Sequence, residues 1–185
     1  QKTTFSNQLH AIEHSGYKNR VVIKQLKQII TLLDKQLIEL SREITSLIKN
    51  DLSMKEKIDK ICKIRGVGYL TVATIIAETN GFVLVKNQNQ LISYAGYDIV
   101  ENSSGKHVGK TKISKKGNAH IRRILHMPAL NAKKYEPRFN ALYERIYEKN
   151  KIKMKGYVAV QKKLLVIIYT LWKNNSEYIQ NYQKT

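Results

Sequence analysis

Apolar residues recur early in the chain at alternating spacings of three and four: Ile23, Leu26, Ile30, Leu33, Leu37, Leu40, Ile44 and Leu47. That period lines one side of an α-helix, and sustained over four heptads between about Lys18 and Asn50 it forms the seam of a coiled coil. Ile at three of the four first positions, with Leu at every fourth, favours two parallel strands if the partner is another copy of the chain. Packing of this helix on its own domain is the competing reading. The stripe is only two residues in seven, narrower than the apolar face of a helix lying on a core, so the pattern predicts dimer contact. Asp51 falls at the next seam position and ends it. The residues before the seam, 1–17, carry little periodic signal and read as a linker or the end of a missing N-terminal domain. His10 and His14, four apart, read as a solvated helix face rather than a metal pair.

Beyond Asp51 the period stays helical but the elements shorten. One helix leads into Ile61–Thr71 and another runs through Ala77, with Gly66-Val67-Gly68 between them. Helix, Gly-Val-Gly, helix is the arrangement of a helix-hairpin-helix, in which glycines admit a backbone and free N–H groups of the second helix face an anion. A tight turn between two core helices is an equally good account of the same glycines. Asn80-Gly81 breaks the chain, and Asn87 to Tyr94 reads as a short helix stopped by Gly96. Tyr97–Val100 and His107–Ile113 alternate as a small hairpin with Ser103, Ser104 and Gly105 near its tip. After Gly117-Asn118 comes a helix burying Ile121, Ile124, Leu125 and Ala132, with a kink expected at Pro128. Phe139, Tyr143 and Tyr147 line one side of the next helix, within Tyr135–Asn150, as core rather than as base-stacking rings. A basic connection, Lys149 to Lys155, ends at Gly156. The last helix, from about Tyr157 to Lys173, buries Val160, Leu164, Ile167, Ile168 and Leu171. The fold predicted is mainly α: a helical domain over 51–185, with a helix-hairpin-helix-like element and a small β-hairpin, preceded by a coiled-coil-like dimerisation helix over 18–50.

Charge changes the picture from a generic helical domain to one with a polyanionic partner. The chain of 185 residues has 33 Lys and Arg against 14 Asp and Glu, a net +19 that exceeds what solubility requires and favours nucleic acid. No apolar run is long enough to span a membrane and no secretory h-region is present, so a cytoplasmic setting is expected. The single Cys62 excludes an internal disulfide framework. Walker loops, zinc-ligand spacings, dinucleotide glycine patterns and repeats are missing from the sequence. From Asn102 through Tyr135 there is no Asp or Glu, while Lys106, Lys110, Lys112, Lys115, Lys116, Arg122, Arg123, Lys133 and Lys134 all fall inside. Such a field faces phosphate. Within it, Ser103 and Ser104 stand beside Gly105, and an exposed Ser at a bound phosphate is a candidate nucleophile, although Ser-Gly in a loop is more often turn chemistry.

The ordered set Ile64-Arg65-Gly66-Val67-Gly68, Thr71, Ala73, Ala77-Glu78, Leu91-Ile92-Ser93-Tyr94-Ala95-Gly96, Ser104-Gly105 and Ile113-Ser114-Lys115-Lys116-Gly117-Asn118 with Arg122 and Leu125 resembles a known family. It is similar to the C-terminal half of the DEDD-type transposases of bacterial insertion sequences, the IS one-ten family. Ala159-Val160-Gln161-Lys162-Lys163-Leu164-Leu165 extends the resemblance into the closing helix. The resemblance implies a missing ribonuclease H-type nuclease domain with four metal-binding carboxylates and a divalent metal such as magnesium. It also implies that this half supplies a serine that attacks DNA, and that a structured guide RNA from the element takes part. Carried over, the serine is Ser104, with Ser103 as the alternative. Lys112, Lys116 and Arg122 would hold the developing negative charge, and Gly66, Val67, Gly68, Lys106, Lys110, Lys115, Asn118 and Arg123 would complete the nucleic-acid-binding set. On that reading this segment is expected to be inactive without the nuclease-like domain, because the carboxylates lie there. The rival is a non-catalytic nucleic-acid-binding and dimerisation module in which Ser104 is a turn residue.

Overall fold

The computed structural model describes residues 1–16, 18–101, 103–104, 107–109 and 111–180, with 103, 107 and 108 given by their backbone alone. Most of the described residues are helical, and they divide into two compact units, Gln1–Ile48 and Lys49–Thr185. No described helix is long and apolar enough to cross a membrane.

In the first unit, residues 2–13, expected as a linker or the end of a missing N-terminal domain, form a helix, α1 (Lys2–Glu13), and the heptad stretch forms α2 (Arg20–Asn50), a helix of 31 residues. Asn19 starts α2 by accepting the N–H groups of Val21 and Val22 at 3.0 and 3.2 Å. The two helices run antiparallel, because the Lys2–Asp34 pair at 2.5 Å and the Glu13–Lys27 pair at 2.8 Å lie at opposite ends of α1 and in reverse order along α2. Along the seam, Leu26 is buried and Ile23, Ile30 and Leu33 are half-buried. Farther on, Leu37, Leu40 and Leu47 are 52, 55 and 70% exposed.

Asp51 ends the seam for a capping reason. Its backbone turns extended and its carboxylate accepts the Met54 N–H at 2.9 Å, which starts α3 (Leu52–Cys62). A turn centred on Gly66, at φ +89°, leads to α4 (Tyr69–Thr79), which packs on α3. Asn80 and Gly81 close α4 in the left-handed region, as their sequence predicts. Phe82 follows at φ +65°, fully buried, its N–H bonded to the Thr79 hydroxyl at 3.1 Å and its ring edge-on to Tyr169 at 5.3 Å. Next comes α5 (Gln88–Tyr94), capped by the Asn87 side chain on the Gln90 N–H at 2.9 Å.

The hairpin has two antiparallel tiers: β1 (Ile99–Val100), β2 (Ser103–Ser104), β3 (His107–Val108) and β4 (Lys112–Ile113), with β1 on β4 and β2 on β3. The helical stretch after Asn118 divides into α6 (Ala119–Ile124) and α7 (His126–Tyr135). The break at Leu125 is the effect expected of Pro128, which has no N–H to donate to the Ile124 carbonyl four residues back. Pro137 opens α8 (Pro137–Asn150), whose Phe139 and Tyr143 are buried in the core. The last helix, α9 (Lys153–Asn174), begins four residues before the predicted start and takes Gly156 into its first turns. A Cβ at Gly156 would lie 2.6 Å from the Tyr143 ring, so the glycine serves helix contact rather than a helix break. α7, α8 and α9 pack together, and α3 and α5 close on α9. Ile58, Ile61, Ile75, Leu91, Ile121, Leu125, Leu164 and Ile168 are fully buried in this core. Each such side chain contributes about 1.5–3 kcal/mol relative to exposure.

Candidate functional site

The hairpin is held at its root by a set of backbone bonds. Ile99 pairs with Ile113 and Val100 with Lys112. Below them Ser114 N–H donates to the Asp98 carbonyl at 2.7 Å, Lys115 N–H to Gly96 at 3.1 Å and Asn118 N–H to Tyr94 at 2.7 Å. Gly96 and Gly117 make this approach possible: a Cβ on Gly117 would lie 2.5 Å from the Tyr94 carbonyl oxygen and 2.6 Å from the Gly96 nitrogen. Arg122, on α6, ties the same joint. Its Nη1 donates to the carbonyls of Ala95 at 2.7 Å, Gly117 at 3.2 Å and Asn118 at 3.3 Å, and its Nη2 to Lys115 at 3.3 Å.

This placement differs from the anion-facing Arg122 that the sequence suggests. Four carbonyls share its Nη donors, so its guanidinium fixes the loop that carries the hairpin. Asn118 is similarly engaged, because its amide oxygen caps α6 at the N–H groups of His120 and Ile121 while its amide nitrogen donates to Glu78 at 2.5 Å. Of the nucleic-acid set, Lys112, Lys115, Lys116 and Arg123 are exposed and carry no ion pair among the described residues. Lys106 and Lys110 lie outside the described residues, as does Gly105.

Ser104 lies on the outer tier, where Ser103 faces Val108 and Ser104 faces His107 across the strands. It is exposed, and its hydroxyl has no hydrogen-bond partner among the described residues. Of Ser103 only the backbone is described. The structure therefore brings Ser104, Lys112, Lys115 and Lys116 onto one hairpin and its root.

At the other glycine motif, the three residues separate. Gly66 packs against α7, where a Cβ would lie 2.5 Å from Asn131 Cβ, and Val67 is buried with its N–H bonded to the Ile64 carbonyl at 3.0 Å. Only Gly68 is open, with no atom within 4 Å of a Cβ position, at the start of a helix that has no side-chain cap. Nearby, Tyr69 donates to the Asp59 carboxylate, and this bond pushes its phenol up to about 12. Burial, with Asp59 adding to it, pushes the Cys62 thiol up to about 11, so it is protonated at neutral pH.

Sequence reasoning missed a buried polar chain beneath the hairpin. Tyr97 donates its hydroxyl to Gln161 Oε1 at 2.9 Å, and Gln161 Nε2 lies 3.2 Å from His126 Nδ1. Burial is the main cause that raises the Tyr97 phenol far above its ordinary value, with the Arg122 charge opposing it. The signal was Gln161, a polar residue that follows Val160 and precedes Leu164 by three, and so falls on the inward face of α9 with them.

Residues 58–144 match the Transposase IS116/IS110/IS902 family. The chain is similar to the pilin gene-inverting protein of Moraxella bovis, 26% identical over 143 residues, or 76% of this chain and 44% of that protein. It is similar to the same-named protein of Moraxella lacunata at 26% identity over 143 residues. The chain thus spans less than half the length of these curated relatives. The matched stretch runs from inside α3 through the glycine turn, the serine hairpin and the Arg122 joint into α8. Over that stretch the chain is similar to the transposases of the IS116/IS110/IS902 family.

Proposed function

We propose that this chain is the serine-bearing C-terminal part of an insertion-sequence transposase or recombinase that binds DNA and joins its strands. The observation that carries the reading is Ser104: an exposed hydroxyl on the outer tier of a hairpin whose root is locked by Arg122, and which also carries exposed Lys112, with exposed Lys115 and Lys116 at its root, none of the three in an ion pair among the described residues. In the reaction, Ser104 Oγ attacks a phosphodiester phosphorus. The Oγ–P bond forms as a sugar oxygen–P bond breaks, and the serine proton passes to the departing sugar oxygen, which leaves as a hydroxyl. Attack of a DNA hydroxyl on the phosphoserine then restores a phosphodiester and frees the serine. Lys112 and Lys116 offset the charge that builds on the phosphoryl oxygens, while Arg122 positions the loop. Gly68, at the uncapped start of α4, supplies the backbone contact of the helix-hairpin-helix reading.

The resemblance assigns the activating carboxylates and a divalent metal such as magnesium to the nuclease-like domain, and adds a structured RNA guide as a further partner. The exposed part of the α2 seam is read as the contact with a second copy.

A second reading, non-catalytic nucleic-acid binding, is favoured by the lack of an acid–base partner at the Ser104 hydroxyl among the described residues. Ser104→Ala in the intact protein separates the two. Loss of strand joining by at least about 10³-fold with duplex affinity within twofold supports the nucleophile. Joining at near wild-type rate sinks it and leaves the binding module.

A further inference from the structure

A second basic feature lies outside the hairpin. Helices α8 and α9 enclose a cleft of about 420 Å³ lined by Arg138, Phe139, Ala141, Leu142, Arg145 and Lys163. Arg138, Leu142 and Arg145 fall on one face of α8 at spacings of four and three, and Lys163 comes from α9. Two carboxylates next to the cleft are engaged elsewhere. Glu144 pairs with Lys133 at 3.3 Å, and buried Glu136 accepts the Arg65 N–H at 3.2 Å and the Tyr178 hydroxyl. Glu148, three residues beyond Arg145, makes no ion pair with it. Among the described residues Arg138, Arg145 and Lys163 have no ion-pair partner at all.

Three uncompensated cations around an apolar floor suit phosphate oxygens, which a guanidinium grips two at a time. The cleft's one ring, Phe139, is fully buried, so it offers no platform on which unpaired bases stack. Arg138 and Arg145 are separated by about 10 Å along the helix at ~1.5 Å per residue, equal to the rise of about three base pairs along the axis of a duplex. We infer that the α8–α9 cleft is a second binding site for the sugar–phosphate backbone of duplex DNA, additional to the lysines of the serine hairpin. It rests on the DNA-binding reading above and deepens it: one duplex segment is held at the serine and another stretch of backbone at the cleft.

The test is the salt dependence of duplex binding, followed by fluorescence anisotropy. The triple variant Arg138→Gln, Arg145→Gln, Lys163→Gln should bind duplex less tightly, with a log–log salt slope shallower by about 2 to 3. Arg138→Lys with Arg145→Lys, which keeps the charge, should retain most of the slope. A charge-matched control on exposed positions of α2, Lys24→Gln, Lys35→Gln, Arg42→Gln, should change the slope by less than about 1. Matching circular dichroism melts confirm that all three variants fold. If the control loses as much as the cleft variant, or the cleft variant loses nothing, the cleft is overturned while DNA binding stands. If the cleft variant loses affinity for a structured RNA hairpin but not for duplex, the assignment to DNA is overturned. A wild-type chain whose duplex binding ignores salt fails the DNA-binding reading itself, and the cleft with it.

Discussion

Gly117 and Gly68 look alike in sequence and are opposite in the fold. A methyl group at Gly117 meets main chain on three sides, at Tyr94 O, Gly96 N and Gly96 Cα, none of which is the free end of a side chain. At Gly68 it meets nothing within 4 Å. Gly117→Ala should therefore destabilise the second unit by about 2–4 kcal/mol, because the hairpin root has to part to admit it. Gly68→Ala should cost no more than about 1 kcal/mol, the difference between Gly and Ala at a helix start. Urea unfolding of the two variants side by side checks this, and equal losses would mean the root is not as tightly joined as its hydrogen bonds indicate. Arg122 has the same double character: an arginine in a basic field reads as a phosphate ligand, yet four carbonyls surround it. The Ala95 carbonyl comes from a distant segment and those of Lys115, Gly117 and Asn118 from the loop just before α6, and composition gives no sign of either.

Among the elements, α2 carries the sharpest expectation. Its seam is half-covered through Leu33 and mostly open beyond it, with Leu37, Leu40 and Leu47 at least half exposed and Ile44 half-buried. Replacing Leu37 and Leu40 with Lys puts charge into any interface formed there while leaving the buried Leu26 untouched. Sedimentation should show a dimer reduced to monomer, with helicity by circular dichroism within about a tenth of wild type. An unchanged mass, or general loss of helix, would count against an intermolecular seam. The long periodic stretch, the Asn80-Gly81 stop, the short α5 and the paired strands were legible because each is written in local spacing or turn residues. Helix α1 was not, since its apolar stripe is one short run, Phe5, Leu9 and Ile12, which is half-buried in the structure while the Lys2–Asp34 and Glu13–Lys27 pairs tie its ends to α2. Gly156 was misread for a similar reason. It looks like a helix stop until the Tyr143 ring, from another helix, is seen against it. The serine hairpin was legible as a position, while its support was not, because Gly96, Gly117, Asn118 and Arg122 act through contacts that no window of sequence contains.

For the whole molecule, the net +19 sets the scale of association with a polyanion. With about six phosphates neutralised, the log of the duplex association constant should fall against the log of salt with a slope near −5, and unrelated duplexes should bind within a few-fold of one another. A slope near zero would mean that the basic surface is not the binding face. The Arg122 joint bears on how such proteins diversify. Both strands of the hairpin leave the domain at adjacent points, stapled by Ser114, Lys115, Asn118 and Arg122. The interior of the second unit is built from helices on the near side of that staple. Sequence beyond it can therefore lengthen, shorten or change its reading of a partner without disturbing the packing of the helices. A lineage carrying this joint is free to vary the segment around its serine as a replaceable tool head, while the handle stays the same.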